Sequence, residues 1–541
     1  MKVTNRKVFL IVILLIAALM RLWKLGIIPR GITNDELGYM YNAYSIATTG
    51  NNIFGQKFPI FSWIAIYGFP FMPVTTYLMV PFVYLLGLSE FSGRILSAAL
   101  GIADIYLIYL LVVNLLKNKK IALLSAAMLA VNPWHVFLSR TAYDPNVSLF
   151  FFLLSITAFS VEIPKKKLPI ISSVSLFLAI FAYRGMNPLI LGIVSICLWL
   201  GKKVFKINKS QLKFYFVSIV VIVITFVSTA YIFKDKGYVK ESVADIQKIE
   251  NFINIQSRES RSTLFLSRLF LNKPNIIIKK YLQNYISGYS PNMLFLNGEE
   301  NQVYSMWDHG KFYILDIVFI IIGFLYLPTL KNHTKWFFII LPFAAGIPGL
   351  VGGAPFAARN YFLSVSMCIL AGSGIYIFIK SINRNLFKLV ASFVIIALYT
   401  YLLFGFLHDY TYRYSYQRQE NWFKSAKDLS KYLKKNKNNF DKAIVIPGSW
   451  GDAQQYAFHN RLNPILIQDA WKNKLESSNA AQILDIDGVT FNSSCQKLNT
   501  STENNLYAVH ESCKQKLAPA SSFKDFYGND VWLIYKTKLP N

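Results

Sequence analysis

The sequence is short of charge, and above all of acid. Charged residues fill 16% of its 541 positions, and 28 Asp and Glu stand against 56 Lys and Arg, for a formal net charge of +28. A soluble chain carries about a quarter charged residues, so this scarcity, beside 54% hydrophobic residues, excludes most soluble classes. Cysteine is scarce too. Four residues make neither a zinc pattern nor a disulfide scaffold. Cys197 and Cys368 lie in apolar runs, whereas Cys495 and Cys513 lie in polar sequence and are the candidate disulfide pair. Walker motifs, dinucleotide fingerprints and nucleophile elbows are absent, which argues against nucleotide-sugar or ATP use. No internal repeat or low-complexity tract is evident.

What the chain has instead is long apolar runs. At roughly 18 to 20 apolar residues per crossing, spans are expected near 8–28, 95–116, 121–138, 146–162, 168–183, 188–201, 213–233, 313–330, 336–351, 360–379 and 389–407, eleven in all. With residues 1–7 on the cytoplasmic side, the loops sharing that side hold 19 Lys and Arg against one acid, Glu162, while the opposite short loops hold the single arginines Arg140, Arg184 and Arg359. That asymmetry is the positive-inside pattern, so the positive charge needs no nucleic acid. The parity requires residues 58–90, broken by Pro59, Gly68, Pro70, Pro73 and Pro81, to lie along the outer interface instead of crossing.

The expected fold is therefore an all-α polytopic membrane protein with about eleven transmembrane helices and a small extracytoplasmic α/β domain at the C-terminus. Residues 1–407 form the membrane module, with outer loops 29–94 and 234–312, and residues 408–541 form the external domain. In that domain 420–436 has helical spacing, and 443–447 and 531–535 read as strands.

Candidate chemistry starts at Asn34-Asp35-Glu36-Leu37-Gly38-Tyr39, just past the first span. Paired carboxylates at a membrane surface are costly and often functional. The same residues also fit a solvated helix N-terminus. Both readings stand on the residues alone. Asp104, near the middle of its span, would cost about 2.5–3.5 kcal/mol if ionised in lipid, so it is expected to face the bundle interior and bond a neighbouring helix.

Four motifs in order carry a resemblance: Met20-Arg21-Leu22-Trp23-Lys24-Leu25-Gly26 with Pro29 and Asp35-Glu36-Leu37-Gly38-Tyr39; Ser89-Glu90-Phe91-Ser92-Gly93-Arg94; Leu138-Ser139-Arg140-Thr141-Ala142-Tyr143-Asp144-Pro145; and Phe356-Ala357-Ala358-Arg359-Asn360-Tyr361. Over about 360 residues the chain resembles the lipid-linked-sugar glycosyltransferases of the C superfamily (GT-C), of the protein O-mannosyltransferase and aminoarabinose-transferase type. The resemblance implies a catalytic aspartate at Asp35 with Glu36 as its neighbour, and a second acid at Asp144. Its acidic element near the tip of the first loop is missing here, where Asn51-Asn52 stand.

For such a reaction a polyprenyl phosphate is already a good leaving group, so an inverting transfer needs a base for the acceptor hydroxyl and cations for the phosphate. Arg359 and Arg140, and beyond them Arg184 and Arg21, offer guanidinium forks for phosphate oxygens, or else anchor at the interface. Tyr39 joins the substrate contacts. The stretch from Ser290 to Gly310 resembles the family's fourth outer loop, in which Glu299, Glu300, Asp308 and His309 are candidates for acceptor or metal binding. A divalent cofactor stays open, because these residues have no recognised ligand spacing.

The expected activity is transfer of a sugar from a polyprenyl-phosphate donor to an acceptor hydroxyl of a lipid, glycan or protein at the extracytoplasmic face of the cell membrane. The alternatives are a transporter or flippase of lipid-linked glycans and a glycan polymerase or ligase. A transporter would be expected to show repeated halves around a midplane site.

Overall fold

Apolar runs become helices because a backbone in lipid must satisfy its polar groups internally. The computed structural model describes residues 3–58, 62–64, 69–232, 246–259, 263–306, 308–329, 334–351, 356–476, 483–495, 498 and 504–537. A helix stands in each of the eleven expected segments. Among the described residues, however, only five are long and apolar enough to cross a membrane: Glu90–Leu116, Asp144–Glu162, Lys209–Thr229, Leu363–Ser381 and Asn385–Gln417. A sixth arises if Lys119–Val131 and Pro133–Ser139, bent by 58° at Asn132, count as one. This corrects the expectation of eleven, and in several of the other segments the cause is breakage.

The expected span 168–183 is helical only from Ile170 to Ile180, and 313–330 only from Asp316 to Tyr326 as regular α-helix. The span 336–351 is reduced to Lys335–Ala345, with Pro342 inside. Eleven residues rise about 16 Å, half of a hydrocarbon core of about 30 Å. Apolar composition alone does not report such breaks. In the same way, 58–90 yields a small hairpin of β1 (Ser62–Ile64) and β2 (Phe69–Phe71), then a 14-residue helix, Pro73–Leu86, with Pro81 inside it. The chain is a multi-pass membrane protein.

Two compact units are formed. The first comprises Met1–Arg21, Ala99–Ser139 and Asp144–Phe406. Here Leu363–Ser381 packs against Lys119–Val131 and Asp316–Tyr326, and the approach is glycine-dependent. A Cβ on Gly323 would strike the Leu370 carbonyl, and one on Gly374 the Phe319 carbonyl. At the opposite extreme, Leu389, Phe393 and Tyr401 of Asn385–His408 are 70–77% exposed, as expected of side chains meeting lipid.

The second unit comprises Leu22–Ala98, Arg140–Tyr143 and Leu407–Asn541. Its sheet contains β3 (Lys442–Ile446), β4 (Ile483–Ile486), β5 (Val489–Asn492), β6 (Asn505–His510), β7 (Ser521–Lys524) and β8 (Asp530–Lys536), in the order β4-β5-β3-β6-β8-β7. Strand β3 runs parallel to both β5 and β6, and the outer pairings are antiparallel. The β4–β5 hairpin turns on Asp487-Gly488, both at positive φ, as a two-residue primed turn requires. Helix Lys424–Asn436 and strands β3 and β8 fulfil the sequence expectation. Cys495 and Cys513 form the expected disulfide, their Cα atoms 5.4 Å apart.

Candidate functional site

Thr33 caps the helix Asn34–Thr49. Its Oγ1 accepts the Glu36 backbone N–H at 3.3 Å, and Glu36 Oε2 accepts the Thr33 N–H at 3.3 Å, closing a capping box. Glu36 is fully buried, and its two oxygens take three further donors. Oε1 receives Ala142 N–H at 2.8 Å and Arg94 Nε at 2.9 Å, and Oε2 receives Arg94 Nη2 at 2.9 Å. The rest of the Arg94 fork donates to the carbonyls of Pro29 (3.1 Å) and Gly31 (2.6 Å). Gly31 sits at φ 103° with the Trp422 carbonyl where a Cβ would be, so no other residue fits. One buried bidentate pair thus fixes the whole loop ahead of the helix.

Asp35, beside Glu36, is only half-buried. It stands in the first helical turn, where the macrodipole favours the carboxylate form. The Tyr143 hydroxyl donates to Thr33 Oγ1 at 2.9 Å. Burial, reinforced by the charges of Glu36 and Asp35, holds the Tyr143 phenol well above its ordinary pKa, so it remains a donor. Arg140 is 2% exposed. Its Nη2 donates to the carbonyls of Trp23 (2.8 Å) and Ile28 (3.3 Å), and its guanidinium lies 5.4 Å from the Tyr410 ring centroid. Tyr39 is buried, 4% exposed.

The remaining candidates belong to the first unit. Asp144 opens the helix Asp144–Glu162 and is half-buried. Arg359 is half-buried, its guanidinium 5.1 Å from the Phe356 ring centroid. Residues 352–355, just ahead of that segment, lie outside the described residues, as does Trp307. Glu299 is buried. Its Oε2 accepts the Ala357 N–H, tying its loop to the segment of Arg359, while Oε1 is buried with no hydrogen-bond partner.

Lys311, 3% exposed, donates to the Tyr304 carbonyl at 2.9 Å and lies 5.8 Å from the Trp134 ring. Burial lowers the Lys311 pKa to about 8, against the opposing pull of Glu299. Burial likewise raises the Glu299 carboxyl, with Lys311 opposing. His309 Nδ1 bonds the Gly310 carbonyl at 2.9 Å and so carries the proton, leaving Nε2 as the acceptor of the neutral ring. His309, Trp134, Lys311 and Phe406 line a void of about 10 Å³, room for one water.

Deeper in the same unit, Asp104 Oδ2 lies 3.3 Å from His135 Nε2, and His135 Nδ1 lies 2.8 Å from Arg21 Nη2, all three side chains fully buried. Asp104 therefore faces the interior, as expected. Among the described residues no three His, Cys, Asp or Glu side chains are grouped to hold a metal.

Sequence reasoning did not single out Arg94, Thr33, Tyr143 or Lys311 for these roles. The T-x-x-E spacing of Thr33 and Glu36 was the one local signal available.

Residues 70–233 match the family model of dolichyl-phosphate-mannose-protein mannosyltransferases. No curated protein matches the chain by sequence. Among solved structures, the oligosaccharyltransferase of Archaeoglobus fulgidus in its apo form aligns with a TM-score of 0.51 at 15% identity, covering 87% of this chain and 66% of that one. The chain thus spans about two thirds of that enzyme's length. ArnT from Cupriavidus metallidurans aligns with TM-scores of 0.53 bound to undecaprenyl phosphate and 0.54 in the apo state, at 10% and 9% identity, covering 99% of both chains. The chain is thus similar over residues 70–233 to that mannosyltransferase family and, across its length, similar in fold to ArnT.

Proposed function

We propose that the protein transfers a sugar from a polyprenyl-phosphate donor to an acceptor hydroxyl on the extracytoplasmic face, with inversion at the anomeric carbon. The carrying observation is the division of labour between adjacent carboxylates: Glu36 is sealed and saturated by Arg94, while Asp35 stays half-buried on a helix turn that Glu36 fixes. Asp35 takes the proton of the acceptor hydroxyl as its oxygen bonds to C1, and the C1–O bond to phosphate breaks with its electron pair leaving on the phosphate. Glu36 is a positioning residue. Its charge is matched by Arg94. Arg359 is assigned to the donor phosphate on its chemistry, not on any distance to Asp35. Arg140, enclosed by carbonyls and Tyr410, holds the loop.

Support for the donor class comes from the family description and from the undecaprenyl phosphate held by the similarly folded ArnT. The test is lipid extraction from the purified protein followed by turnover. Release of free polyprenyl phosphate on adding acceptor is expected, and Asp35→Asn should cut it by about two to four orders of magnitude while undecaprenyl-phosphate binding holds. Carrier transport across vesicles without release would establish a flippase instead.

A further inference from the structure

The C-terminal sheet has a feature that nothing in the transfer reaction uses. Strand β3 lies between β5 and β6 and parallel to both, so three strands end side by side, and ligands of such sheets bind beyond the carboxyl ends of the strands. A cleft of about 450 Å³ lies there. It is lined by Ser449, which follows β3, by Ser493 after β5, and by His510 and Ser512 at the end of β6. The disulfide Cys495–Cys513 joins the last two rims. This volume falls within the range of small-molecule sites, roughly 300–1,000 Å³.

The lining decides the chemistry. In nucleotide-binding sheets the helix N-terminus at this place receives a phosphate. Here the helix Trp450–His459 begins at Ser449, and its N-terminus is already occupied: Asp452 Oδ2 accepts the Ser449 N–H at 2.8 Å and the Ser449 hydroxyl at 2.6 Å. A second carboxylate, Glu420, also faces the cleft. Its Oε2 accepts the Ser425 hydroxyl, and its Oε1 is sealed from solvent without a partner. Two carboxylates reject an anion. The adjoining helix Lys424–Asn436 carries five lysines, which disfavours a basic peptide.

Phe423, Val531 and Trp532 add apolar wall, and Phe423 is held at φ 52°. His510 Nδ1 accepts the Ser512 N–H at 3.2 Å, so the neutral ring carries its proton on Nε2, where it donates. A neutral ring compound with apolar faces and a rim of hydroxyls satisfies all of these demands.

We infer that the cleft binds a neutral saccharide, a glycan site separate from the transfer centre. The test uses the full chain in lipid nanodiscs, with saturation-transfer NMR of mannotriose as the neutral probe, galacturonate as the anionic one and trilysine as the cationic one. Saturable mannotriose binding is expected, with galacturonate and trilysine inert. Glu420→Gln should weaken binding about tenfold or more, and Ser512→Trp, at the exposed rim, should abolish it. The thermal midpoint should stay at the parent value in both variants, which confirms folding. Undecaprenyl-phosphate binding, read in parallel, should be unaffected, which separates this site from the donor reading. Equal binding of galacturonate, binding of trilysine alone, mannotriose binding that survives Ser512→Trp, or none at all with folded protein would overturn the proposal.

Discussion

Two buried acid–base pairs end in opposite states. Glu36 meets Arg94, and both carboxylate oxygens and most of the guanidinium fork are filled. Glu299 and Lys311 feel each other's charge, and one Glu299 oxygen is left without a partner while the lysine is depressed to about 8. The difference lies in the cation. A planar fork satisfies two oxygens and nearby carbonyls at once, whereas an ammonium is a point charge that burial readily discharges. The first pair holds the loop ahead of the helix still.

The largest effect should come from breaking the saturated pair. Arg94→Ala strands a buried charge, and about 3–5 kcal/mol of stability should be lost, read as a fall in the thermal midpoint in nanodiscs. Arg94→Lys should recover only part, because the bidentate geometry and the Gly31 and Pro29 bonds need the fork. A lysine variant as stable as the parent would erase the contrast between the two pairs.

Next in size is Arg359, whose segment Glu299 tethers. Arg359→Ala should weaken undecaprenyl-phosphate binding about tenfold or more, as loss of a charged hydrogen bond implies, with partial rescue by Lys. Equal affinity in the Ala variant would remove Arg359 from the donor site.

A pH trend is expected at Lys311 itself. Lys311 has a folded pKa of about 8, below the unfolded value of about 10.4, so between these pH values the unfolded chain binds more protons and stability rises with pH. Replacing Lys311 with Met should flatten that rise between pH 8 and 10. An unchanged slope would show that the lysine is not depressed.

The sequence made some of this legible. Asp35 and Glu36 were visible as a pair, yet their separate fates were not, because Arg94 is 58 residues from Glu36 and no local pattern announces the bond. The apolar runs were all legible as helices, but their lengths were set by breaks, such as the one at Pro188, that run composition averages over. In the sheet, Ala443–Ile446 and Val531–Tyr535 were readable as apolar strands. The Asp487-Gly488 turn, flanked by apolar residues on both sides, carries the same information for β4 and β5.

The helix bearing Asp35 owes its surroundings to the far end of the chain. Tyr41 donates to the Leu462 carbonyl 421 residues away, and Gln455 donates to the Ile32 carbonyl across 423 residues. During synthesis, at about 5–20 residues per second, those partners emerge roughly 20–85 s after the helix itself. For that interval the nascent loop has neither the Trp422 wall nor the Gln455 bond, and a ribosome stalled before residue 422 would leave a chain with its spans inserted and its acidic turn unfinished.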